Sequence, residues 1–134
     1  MKLFLDTADV ATIEEAYSTG LIDGLTTNPT LMMKSGEIPD KVYYELKHLG
    51  IKDISMEVVA DTSQAMLEEA SRLIGLFGDV VTIKVPCTPE GLKACKEMAN
   101  QNIRVNVTLI FSAAQAILAS KADVAADELL VVLV

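Results

Sequence analysis

Lys84 lies in Val81-Thr82-Ile83-Lys84-Val85, an amine inside an apolar run. Burial strips an ammonium of hydration and disfavours its charged form. The neutral amine attacks a ketone carbon, and the resulting iminium is an electron sink. Breaking a carbon–carbon bond beside that iminium needs a base for the departing hydroxyl. Asp6 and Glu57 are the candidates for that base. Asn28 and Asn106 can hydrogen-bond hydroxyls without titrating, and Thr26, Thr82 and Thr108 add hydroxyls of their own. His48, in Tyr44-Glu45-Leu46-Lys47-His48, reads as a solvated helix residue.

The elements that must carry these groups follow from the apolar pattern. Strands are predicted over 2–6, 24–28, 53–59, 80–85 and 103–111. Helices are predicted from a cap at Asp9 or Thr12 to Ser18, over 39–49, from Thr62 or Ser63 to Phe77, from Thr88-Pro89 to Asn100, and over 112–121. Gly20, Gly50 and Gly78 stand where helices should stop, and Pro89 after Thr88 marks a helix start. Glu128–Val134 is a possible sixth strand. This alternation implies parallel strands joined by right-handed crossovers, either as an open doubly wound sheet or as a (β/α) barrel. No repeat, linker or low-complexity tract interrupts residues 1–134, so one domain is expected.

Parallel strands favour Val and Ile, yet these carry Asp6, Thr26 with Asn28, Glu57, Thr82 with Lys84, and Asn106 with Thr108. The i, i+2 spacing turns each pair to one face of its strand. Most sit near carboxyl ends, which form the active face of a parallel barrel. Each has a structural alternative. Asp6 can cap a turn, Thr26 and Asn28 can form a turn before Pro29, and Glu57 can pair with a surface Lys. Lys84 can snorkel from an edge strand, and Asn106 and Thr108 can be ordinary strand residues. Charged residues are rarely buried unless paired or functional. Five successive strands with polar groups at corresponding ends favour a joint role.

Composition narrows the partners. A formal charge of −8 argues against nucleic acid, which needs clustered Lys and Arg. A local basic pocket for a small phosphorylated substrate remains compatible with it. No stretch reaches the roughly 18–20 apolar residues of a membrane span. Asp6 comes too early for a secretory signal, so a soluble cytoplasmic protein is expected. Cys87 and Cys95 have neither redox-pair nor zinc spacing. No Gly-x-Gly-x-x-Gly or Walker loop follows a strand, so no nucleotide site is expected.

Five stretches resemble the transaldolase family, in the small bacterial and phage-type branch that includes fructose-6-phosphate aldolase. They are Leu3–Ala8, Gly24–Leu31, Glu57–Val59, Val81–Gly91 and Asn106–Ala116, in the family's order. The resemblance covers residue 1 to about residue 122. It implies an α/β fold, a partial (β/α)8 TIM barrel of about five βα units. It implies that Lys84 is the Schiff-base lysine and Asp6 the acid/base at the cleaved bond. Glu57 and Thr108 would hold a catalytic water, while Thr26, Asn28 and Asn106 would contact the dihydroxyacetone portion. The fructose-6-phosphate aldolase branch has Gln where Glu57 stands, so the resemblance favours transaldolase. That reaction moves a three-carbon ketol unit from a ketose phosphate to an aldose phosphate, in the pentose phosphate pathway. It needs no metal or organic cofactor.

Family members continue with three more βα units, including the Ser and Arg residues that hold the substrate phosphate. After Ala122 this chain instead reads Asp123-Val124-Ala125-Ala126-Asp127-Glu128, then the apolar run Leu129–Val134. A full barrel takes about 250 residues. The expectation is an incomplete barrel with exposed strand edges that forms homo-oligomers. The residues are compatible with three functions: a transaldolase weakened by shortening, an inactive scaffold or assembly-forming fragment, and an aldolase acting on fructose 6-phosphate or another carbonyl compound.

Overall fold

The computed structural model describes residues 2–30, 32, 36 and 38–122. The sixth strand expected over Glu128–Val134 lies outside the described residues. Five βα units follow one another: β1 (Phe4–Asp6), α1 (Val10–Ser18), β2 (Gly24–Thr26), α2 (Pro39–His48), β3 (Ile54–Glu57), α3 (Ser63–Phe77), β4 (Val81–Pro86), α4 (Pro89–Asn100), β5 (Val105–Thr108) and α5 (Ala113–Ala122). This is the expected α/β class, a partial (β/α)8 barrel. The described backbone divides into two compact units, one of the described residues up to Glu57 with Leu73–Val81, the other of Val58–Arg72 with the described residues from Thr82 to Ala122.

In the first unit β1 pairs parallel with β2, and β2 with β3. Phe4 lies opposite Gly24 and Asp6 opposite Thr26, while Thr26 lies opposite Ser55. Gly24 lets the Phe4 ring cross the strand. A Cβ there would stand 2.3 Å from the ring and 2.7 Å from the Asp53 carbonyl oxygen. The core comprises Ile13, Leu25, Leu46, Ile54, Met56 and Phe77, all fully buried. The Tyr43 and Tyr44 rings meet Phe77 edge-on, at centroid distances of 5.5 and 4.9 Å. Lys47 Nζ donates to the Phe77 carbonyl at 2.8 Å. It thereby satisfies one of the acceptors that the last turn of α3 leaves open. Asp9 caps α1, its side chain accepting from Thr12 N–H at 3.3 Å.

In the second unit β4 and β5 pair parallel, with Lys84 opposite Asn106 and Pro86 opposite Thr108. Ile83 N–H donates to the Arg104 carbonyl at 2.9 Å, and Cys87 N–H to the Thr108 carbonyl at 2.8 Å. Thr88 caps α4, its Oγ1 accepting from Gly91 N–H at 3.0 Å. Pro89 takes the first helical position, where its missing N–H is no loss. Gly91 sits directly on the end of β4, so that an added Cβ would stand 2.0 Å from the Pro86 carbonyl oxygen. The buried face of α4 is Ala94, Cys95, Met98 and Ala99. Ile83, Val85, Val105 and Val107 complete the apolar side of the strands.

Candidate active site

Strand alternation and register sort the polar residues. In the first unit Asp6, Thr26 and Ser55 are lateral neighbours, and Glu57 lies two residues beyond Ser55. All four therefore share one face. Thr26 is buried and donates through Oγ1 to Asp6 Oδ1 at 2.9 Å. The hydroxyl thus holds the exposed carboxylate of Asp6 in one orientation. Ser55, fully buried beside Thr26, was not singled out by sequence; its type and i−2 spacing from Glu57 were the available signal. Thr27 faces the other way, toward α2, where its Oγ1 lies 3.3 Å from Tyr43 Oη and donates to the Ser55 carbonyl at 3.0 Å. Glu57 ends β3 and is half-buried.

Asn28 is not inside a strand, as its spacing from Thr26 suggested. The β2 ladder ends at Thr26. Pro29 begins a helical turn that Met32 N–H closes on the Asn28 carbonyl at 3.3 Å. Proline has no N–H for a ladder, so the strand stops before it. Asn28 therefore sits half-buried on the loop at the carboxyl end of β2.

The second unit brings Lys84, Asn106 and Thr108 together. Lys84 and Asn106 are register partners on neighbouring strands, with Thr82 and Thr108 on the same face. Lys84 is 7% exposed, and Asn106, Thr108 and Thr82 are buried as well. An amine and a carboxamide thus lie side by side, about 4.8 Å apart at the backbone, on an otherwise hydroxyl-lined face. Such a face can accept a polyhydroxylated carbonyl compound: the amine for the carbonyl carbon, the amide and hydroxyls for its oxygens. The Lys84 carbonyl accepts from Val58 N–H at 3.1 Å.

Two carboxylates at helix starts, Glu90 and Asp9, are held below the usual carboxylate range. Glu90, in the first turn of α4, is lowered to about 2, chiefly by the Lys93 ammonium and then by the backbone N–H of Ser63. That N–H donates to Glu90 Oε2 at 2.9 Å. Asp9 is also lowered, first by the hydroxyl of Thr12 and then by its N–H. Glu69, on α3, accepts from Val59 N–H at 3.0 Å and Ala60 N–H at 3.3 Å. Sequence reasoning missed it, because a contact ten residues back matches no helical or strand period. Among the described residues no group of three His, Cys, Asp or Glu could hold a metal ion. No described helix is long and apolar enough to cross a membrane. A groove of about 650 Å³ lies in the second unit between α4 and α5, lined by Thr88, Leu92, Lys96, Gln115 and Leu118 among others, and by none of the expected site residues.

The sequence profile described as Transaldolase/Fructose-6-phosphate aldolase matches residues 3–131. A probable transaldolase of Geobacter metallireducens is 49% identical over 122 residues, covering 91% of this chain and 56% of the relative. One from Nitrosopumilus maritimus is 47% identical over 121 residues, covering 90% and 54%. One from Phocaeicola vulgatus is 45% identical over 126 residues, covering 91% and 57%. The chain spans about half the length of the curated relatives it matches.

Proposed function

The chain belongs to the Transaldolase/Fructose-6-phosphate aldolase family, and from that premise we propose that it carries the Schiff-base half of a transaldolase. The observation that carries the reading is a buried Lys84 in register with Asn106, on the polar face of β4 and β5. In this reading Lys84 Nζ adds to the ketone carbon of a ketose phosphate, and loss of water gives the iminium. Asp6, held by Thr26, takes the proton from the hydroxyl next to the bond to be cleaved. The carbon–carbon bond breaks, its electron pair moves to the iminium, and an aldose phosphate leaves. The enamine left on Lys84 attacks the carbonyl carbon of a second aldose phosphate, and Asp6 returns the proton to the new hydroxyl. Water then hydrolyses the iminium and frees the amine. Glu57 and Thr108 hold and activate that water, while Asn28 and Asn106 bind hydroxyls of the three-carbon unit.

The family description covers both transfer and simple cleavage. Glu57, where the cleaving branch has Gln, favours transfer. The same reading takes the protein to be cytoplasmic, consistent with Cys87 and Cys95 standing as thiols. It also takes the protein to self-associate. Support comes from Leu109, Phe111, Ile117 and Leu118, apolar residues 47–74% exposed in the second unit. Light scattering that returns a folded monomer at high concentration removes the self-association part.

Borohydride tests the chemistry. With saturating fructose 6-phosphate, reduction should leave a three-carbon adduct on the peptide holding Lys84, absent from Lys84→Ala. A folded protein that gives no adduct overturns the reading.

A further inference from the structure

Three consecutive amides follow β3, and two residues receive them. Val58 N–H donates to the Lys84 carbonyl at 3.1 Å. Val59 and Ala60 N–H both donate to Glu69 Oε2, at 3.0 and 3.3 Å. All of these residues belong to the second unit. Glu69 is the seventh residue of α3. That is beyond the third helical position from which a capping box reaches back, so helix capping does not account for it. Its side chain is only half-buried, yet it turns back over the loop that precedes its own helix. Hydrogen bonds to an ionised acceptor are roughly twice as strong as neutral ones, and here two share one oxygen.

We propose that Glu69 is a positioning residue for Lys84: its carboxylate fixes Val59 and Ala60, which keeps Val58 N–H on the Lys84 carbonyl and so sets where β4 carries its amine. This deepens the reading of Lys84 as the Schiff-base lysine and rests on it. A reacting amine displaced by about 1 Å loses on the order of 100-fold in rate, so a backbone anchor next to it matters to chemistry as well as to stability.

The test compares Glu69→Leu, which removes both acceptors at similar size, with Glu69→Gln, which keeps one oxygen acceptor. Two quantities are read on the full chain: amide hydrogen exchange at Val58, Val59 and Ala60, and the initial rate of borohydride trapping at saturating dihydroxyacetone. Glu69→Leu should lose protection at all three amides and trap about 10- to 100-fold more slowly. Glu69→Gln should restore the Val58 protection and bring trapping to within about 3-fold of the parent, since a neutral acceptor retains about half the bond strength. A purely structural role would lower the unfolding midpoint and leave trapping by the folded protein unchanged. Unchanged Val58 protection or an unchanged trapping rate in Glu69→Leu overturns the proposal. If the parent chain forms no adduct, the Schiff-base reading fails by itself. Exchange at Val58 then decides the backbone coupling: retained protection in Glu69→Leu refutes it, and loss supports it. Should Glu69→Leu not fold, Glu69→Asp, with the charge kept and the reach shortened by one methylene, is read by the same two measurements and the same criteria.

Discussion

Gly91→Ala puts a single methyl group against the end of the strand that carries Lys84. The new Cβ would stand 2.0 Å from the Pro86 carbonyl oxygen, 3.1 Å from the Pro86 carbonyl carbon and 3.2 Å from Thr88 Oγ1. Ordinary contact begins at 3.4 Å, so α4 has to retreat by about 1.4 Å, and the nearest obstacle is backbone that cannot swing aside. Overpacking of this kind costs about 1–3 kcal/mol. The retreat also stretches the cap from Gly91 N–H to Thr88 Oγ1, now 3.0 Å, and a lost cap costs about 1 kcal/mol. Against this, alanine is the better helix former by about 1 kcal/mol. The net expectation is a loss of about 1–3 kcal/mol, from the sum of these terms. Urea unfolding followed by far-ultraviolet circular dichroism should show a lower midpoint at unchanged slope. Pro86 is two residues from Lys84 in β4, so borohydride trapping should slow by about tenfold or more. Gly75→Ala is the control. Gly75 lies inside α3 with nothing within 4 Å of its added Cβ, so it should gain about 0.5–1 kcal/mol. A Gly91→Ala variant as stable as Gly75→Ala refutes the close approach of α4 to the Pro86 carbonyl.

Two further outcomes follow from the described contacts. Thr26→Val keeps the shape of a buried side chain but removes the donor to Asp6. Cleavage of a ketose phosphate should fall by about 10- to 100-fold, as expected for a misaligned general base, while trapping of dihydroxyacetone, which needs no bond cleavage, should stay within about 2-fold of the parent. Equal losses in both assays would remove Thr26 as the orienter of Asp6. Glu90 titrates at about 2 in the folded chain against 4.5 in its absence. Its contribution to stability is present above about pH 4.5 and is lost as the pH falls toward about 2. Unfolding midpoints measured across that window should fall less steeply in Glu90→Gln than in the parent, and parallel profiles would contradict the assignment.

Much of the frame was legible because its signals are local. Asp9, one of the two caps offered for the first helix, and Thr88 cap their helices. Gly50 and Gly78 take φ of 83° and 71° just past the helices they were expected to stop, a left-handed conformation that side chains resist. Four of the five strands were read too long, since residue type shows what can extend and not where pairing ends, whereas β4, read over 80–85, has the expected length one residue further on. The run over 103–111 hides a break at Leu109, which takes φ of 62° directly after Thr108. Asn28 was read into β2 because its spacing from Thr26 fits a strand, but Pro29 ends the ladder first. At the candidate site, alternation by two revealed the common face of Lys84 with Thr82, and of Asn106 with Thr108. It could not reveal that Thr26 spends its proton on Asp6, or that Glu69 reaches back to Val59 and Ala60. Those contacts join residues 20 and about ten positions apart, and only the fold sets such distances.

The ring cluster around Phe77 has a consequence for how the protein can be watched. The chain has three tyrosines and no tryptophan, and Tyr17, Tyr43 and Tyr44 all belong to the first unit. Intrinsic ultraviolet emission therefore reports on the unit that holds Asp6 and is silent about the unit that holds Lys84. Far-ultraviolet dichroism sees the helices of both. Superposition of the two signals through a denaturant titration means that the units melt as one cooperative body. A tyrosine signal that departs from the dichroism would instead time the loss of one unit against the other. Cys87, a half-buried free thiol in the second unit, offers the attachment point for a dye that lights the other half.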